Sequence, residues 1–126
     1  MSRFWLLAGC ATGFLSVASG AFGAHALKDH LSPEMLNVFE TAVRYSMLHC
    51  SALLAVGLVG HRGEARAIKV AGIAFIAGIV LFSGSLVGLA LTEVRALGII
   101  TPFGGLSFLT GWVALGLAVA RGSDPA

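Results

Sequence analysis

Apolar and polar residues fall in long blocks along this chain rather than in a short repeat. Four apolar blocks, at about 4–26, 41–60, 67–91 and 98–120, are parted by the polar breaks LKDHLSPEMLNVFE, HRGEAR and TEVRA. Each block supplies the ~20 mostly apolar residues with which a helix crosses a membrane. No break is long enough to hold a second domain. The pattern therefore predicts an all-α integral membrane four-helix bundle, one four-span domain over residues 1–126.

The second helix is expected to start before its apolar block. Ser32 suits an N-cap, Pro33 the first helical position, and Glu34 the positive helix end. A helix from Pro33 to Gly60 would be about 42 Å long. The hydrocarbon core is roughly 30 Å thick, so the first turns belong in the headgroup layer.

Composition strengthens the membrane reading. The chain is 57% hydrophobic and 11% charged, with a mean hydropathy of +0.92; soluble domains carry about 25% charged residues. The formal charge of +2 is too small to argue for nucleic acid. Its distribution says more. Arg3, Arg62, Arg66, Lys69 and Arg121 fall at one end of the spans, Lys28 and Arg95 at the other, and Arg44 just within a helix. Cytoplasmic loops are rich in Lys and Arg, so both termini are expected inside (N-in, C-in).

The N-terminal block invites two other readings. LAGC at 7–10 resembles a lipoprotein processing site, but few apolar residues precede it and the apolar run continues beyond it. Ala24-His25-Ala26 fits the small-x-small rule for signal cleavage, yet the preceding run exceeds the usual 7–15 apolar residues. Retention of the first helix is expected.

Small residues mark the packing faces. Gly9, Gly13, Ser16, Gly20 and Ala24 step by three or four along the first helix; Gly84 with Gly88, and Ser107 with Gly111, form further pairs. Helices associate in lipid through such close approaches.

The ionisable and polar groups within the spans crowd into one half. His25 ends the first helix, Glu40, Arg44, Tyr45 and His49 occupy one half of the second, and Thr101 and Pro102 open the fourth. Glu40 and Arg44 stand four apart with the acid first, the favourable order for a helical ion pair. Arg44, Tyr45, Leu48 and His49 form one stripe; were it to face the first helix, His25 would join the same patch. Free N–H groups at the start of the fourth helix, kept accessible by Gly104 and Gly105, would add a positive dipole end.

The chemistry these residues could support is narrow. His25 and His49 are the plausible haem-ligand pair, and their different depths weigh against it. Cys10 and Cys50 lie in apolar runs without disulfide or zinc spacing, so neither a metal nor another cofactor is expected. No H-E-x-x-H or G-x-S-x-G motif is present, and the chain is not expected to be an enzyme. Ser83 and Ser85 suit helix–helix bonds better than nucleophilic roles. The ligand-binding candidates are His25, Glu40, Arg44, Tyr45, His49 and Thr101, for an anion or polar headgroup.

GAFGAHAL, FETAVRYSMLHCSALL, FSGSLVGLALT and LGIITPFGGLSFLTGW resemble the YgdD/YwdK-like family of small bacterial inner-membrane proteins, a domain-of-unknown-function family with mitochondrial transmembrane relatives. The resemblance covers nearly the whole chain. It implies four spans in the inner (plasma) membrane and no established activity. His25, Tyr45, His49, Thr101 and Pro102 fall on the family's polar positions. The family often has histidine, tyrosine and glycine where this chain has Ser46, Val87 and Glu93; the missing histidine further weakens a metal or haem reading. The function expected is a non-catalytic accessory or scaffolding membrane component, its partners the bilayer and either further copies of itself or a larger membrane complex. The alternative is a binder or transporter of a small polar solute or lipid headgroup.

Overall fold

The computed structural model describes residues 1–62 and 65–122 of the chain. Four long helices fill it: α1 (Ser2–Leu27), α2 (Pro33–Val59), α3 (Ala65–Thr92) and α4 (Arg95–Ala120), each long and apolar enough to span a membrane. Of the connection predicted at HRGEAR, residues 63 and 64 lie outside the described residues. Ser2 meets Gly60, and Gly122 meets Arg62, so both chain ends share one end of the bundle with the α2–α3 connection. Glu34 and Arg95 approach to 3.8 Å at the opposite, far end; both are exposed, so this pair contributes little.

Local sequence explains the helix ends. The Ser32 hydroxyl accepts from the Met35 N–H at 3.2 Å, with Pro33 in the first turn. α3 closes on Glu93, whose φ of 57° is left-handed. Glycine adopts that conformation without the steric cost of a Cβ. α4 opens with a 3-10 turn, Arg95–Ile99, before its α-helical body at Thr101.

Two helices change pitch inside the membrane. Residues Ser19–Gly23 of α1 and Ile79–Gly84 of α3 are π-helical. Near the second of these, Ser83 bonds towards α2 and Ser85 towards α4.

α1 packs against α2, α2 against α3, and α3 against α4. α1 is the outer helix, with 11% of its span buried, against 39% for α2 and α3 and 33% for α4. The core lies towards the end with the chain termini, built from Trp5, Leu53, Val56, Ile68, Phe75 and Phe108 with small alanines between them. A smaller cluster of Phe39, Val43 and Ala90 closes the far end.

Glycines admit aromatic rings at the seams. A methyl at Gly72 would stand 2.6 Å from the Trp5 ring, one at Gly111 2.7 Å from Phe75, and one at Gly78 inside Phe108. Of the predicted packing glycines, Gly9 and Gly13 receive Leu54 and Cys50, Gly20 receives Val43, Gly88 receives Leu97, and Gly111 receives Phe75. Gly84 departs from the expectation. It is exposed, and a methyl there would meet only the Ile79 carbonyl, 3.9 Å away.

Candidate functional site

The six candidate residues do not converge. α2 separates them onto two faces, because Glu40 and Arg44 follow one helical row and Tyr45 and His49 the next.

Tyr45 and His49 face α3 and α4, which corrects the expected stripe towards α1. His49 is 2% exposed and lies flat on Phe108, with ring centroids 3.5 Å apart and planes 6° from parallel. Its Nδ1 is 2.7 Å from the Tyr45 carbonyl. Its Nε2 accepts from the Trp112 indole N–H at 3.2 Å. A carbonyl can only accept and an indole N–H can only donate. The ring is therefore the neutral tautomer with its proton on Nδ1, and both nitrogens are engaged. Tyr45 packs on Phe82 at 4.4 Å between centroids, and Phe75 meets Trp112 edge-on at 5.2 Å. The result is an aromatic block in mid-membrane that joins three helices.

Glu40 and Arg44 face outwards. Both are exposed, and they line a groove of about 270 Å³ between α1 and α2. The predicted ion pair between them is not formed; the ion pair between described residues is Glu34–Arg95. His25 is exposed at the end of α1, apart from the buried His49, so no common patch or histidine pair exists.

Thr101 also has a structural partner. Its hydroxyl bonds that of Ser85 at 2.7 Å, and Ser85 donates to the Phe82 carbonyl at 3.0 Å. The start of α4 is not the open dipole end expected. The Phe103 and Gly104 N–H groups donate to the Ile100 carbonyl at 3.1 and 3.4 Å, and Gly104 is buried against the Phe82 backbone. Gly105 alone of that pair faces open space.

Hydroxyls tie the remaining seams. Ser16 donates to the Thr12 carbonyl and meets the Ser46 hydroxyl at 2.8 Å, joining α1 to α2. Ser83 donates to the Ala42 carbonyl, joining α3 to α2, and Ser107 to the Ala74 carbonyl, joining α4 to α3, each at 2.8 Å. Ser46, Ser83 and Val87 also line a cleft of about 360 Å³ between α1, α2 and α3. Trp112 and Phe108 were not legible as site residues, their one signal being a spacing of one turn on α4; Ser16 was legible only as a member of the small-residue face of α1.

The family model described as a protein of unknown function (DUF423) matches residues 19–105. Over 119 residues the chain is 41% identical to a UPF0382 membrane protein of Staphylococcus epidermidis, covering 94% of this chain and 97% of that one. It is 42% identical over 113 residues to a UPF0382 membrane protein of Staphylococcus saprophyticus, covering 90% and 93%. It is 36% identical over 120 residues to the UPF0382 membrane protein YwdK of Bacillus subtilis, covering 94% and 98%. No solved structure matches. With the motifs in one order along four spans, the chain belongs to the DUF423 family, membrane proteins of unknown function.

Proposed function

We propose that this multi-pass protein is a non-catalytic accessory or scaffolding component of the bacterial inner (plasma) membrane, with both termini on the cytoplasmic side. One observation carries the reading. Hydroxyl and imidazole groups at the helix seams are engaged across them: Ser16 with Ser46, Ser83 with Ala42, Ser85 with Thr101, Ser107 with Ala74, and Trp112 with His49, while the buried Trp5 indole N–H has no partner among the described residues. Such bonds hold helices together where water is absent. The excess of Lys and Arg at the end with the termini supports the orientation. The alternative, capture of a polar headgroup, draws on the outward charges of α2 instead.

Native mass spectrometry of the chain, extracted gently at its natural expression level, tests the proposal. The expected result is a stoichiometric assembly with other subunits or with further copies. A lone chain would overturn it.

A further inference from the structure

Two opposite charges on α2 are placed where lipid lies. Glu40 and Arg44 are exposed, four residues apart, and share a groove with Gly20 and Ala24 of α1 and Val43 and Met47 of α2. No ion pair joins them to each other or to another described residue.

Their depth is the first clue. At 1.5 Å per residue, Arg44 stands about 15 Å along α2 from Glu34 and about 24 Å from Gly60. A hydrocarbon core of ~30 Å centred between those two residues puts Glu40 about 5 Å, and Arg44 about 10 Å, inside its boundary. Charges on a lipid-facing wall at such depth are unfavourable and call for a partner. Side chains on a helix lean towards its N-terminus, which for α2 is the nearer headgroup layer. The carboxylate is thus outermost and the guanidinium beneath it.

The order of charge is the second clue. In a glycerophospholipid with an aminoalkyl headgroup, the phosphate adjoins the glycerol and the ammonium lies farther out. We propose that the groove binds such a lipid, with Arg44 on the phosphate and Glu40 on a primary ammonium. Arginine suits phosphate because its donors form a planar fork. A primary ammonium donates hydrogen bonds to a carboxylate, which a quaternary one cannot. Met47, exposed one turn beneath Arg44, offers an apolar surface to an acyl chain. A second copy fits less well. A two-fold axis along the membrane normal brings equal depths together, so Glu40 would face Glu40, with cross-pairing about 6 Å out of register.

The test is native mass spectrometry of the full chain from nanodiscs holding equal phosphatidylethanolamine, phosphatidylglycerol and phosphatidylcholine with matched chains. Wild type should retain phosphatidylethanolamine in preference to the other two. Glu40→Gln should reduce that preference about tenfold, as expected for one charge-assisted hydrogen bond. Arg44→Gln should lower retention of all three lipids. The exchange Glu40→Arg with Arg44→Glu keeps net charge and spacing but reverses the order; it should abolish the preference even if a single variant fails to fold. Equal retention by wild type, or a preference that survives the exchange, overturns the proposal. So does a dimer that falls apart on either substitution, which would put a second copy in the groove.

Discussion

His49 and Arg44 lie five residues apart on α2 and have opposite fates. His49 has both ring nitrogens bonded and one ring face stacked on Phe108. Arg44 is exposed and makes no ion pair. The difference comes from helical phase alone, since five residues turn an α-helix by well over one revolution. A polar residue in a span is therefore no single kind of signal. On the inward face it joins helices together; on the outward face it awaits something outside the chain.

Substitutions on the two faces should differ most in stability. His49→Ala removes the ring from the Phe108 stack and leaves the Trp112 N–H without its acceptor. We expect a loss of about 3 kcal/mol, read by thermal unfolding in detergent. A loss no larger than that of Arg44→Ala would erase the distinction between the faces.

The glycines sharpen the same contrast. Gly111→Ala pushes a methyl into the Phe75 ring and should lose about 1–3 kcal/mol by overpacking. Gly84→Ala makes only an ordinary contact with the Ile79 carbonyl and should be neutral or gain about 0.5–1 kcal/mol, since alanine suits a helix better than glycine. The same unfolding assay ranks them, and equal losses would mean that Gly84 is packed after all.

At the far end, Glu93→Gly should gain about 1 kcal/mol by relieving the left-handed Cβ. A loss instead would show that the Glu93 side chain holds the turn. The smallest effect belongs to Arg44→Ala, within about 0.5 kcal/mol. A large destabilisation would place Arg44 in the structure of the bundle rather than on its surface.

Much of the fold was legible, because hydrophobic length alone specifies a span. The Ser32 cap and the Pro33 start of α2 followed from residue chemistry, as did the small-residue face of α1. The site was legible only in its ingredients. Two rows on α2 competed for α1. The row Phe39, Val43, Ser46, Cys50 and Gly57 won, as its contacts with α1 show. Its smaller members allow closer approach than a row carrying Tyr45 and His49. The π-helical segments were not legible, because nothing in SGAFG or IVLFSG distinguishes a π-turn from an α-turn rich in small residues. The 3-10 entry to α4 was missed for a similar reason, and it removed the open dipole end that Thr101 and Pro102 suggested.

The most direct test of the division between faces is nitrogen-15 solid-state NMR of the His49 ring in lipid bilayers. A proton on Nδ1, a bare Nε2, and a through-space contact from the Trp112 indole proton to Nε2 are expected. A proton on Nε2 without that contact would contradict that division, because His49 would then be available for chemistry rather than fixed in the bundle.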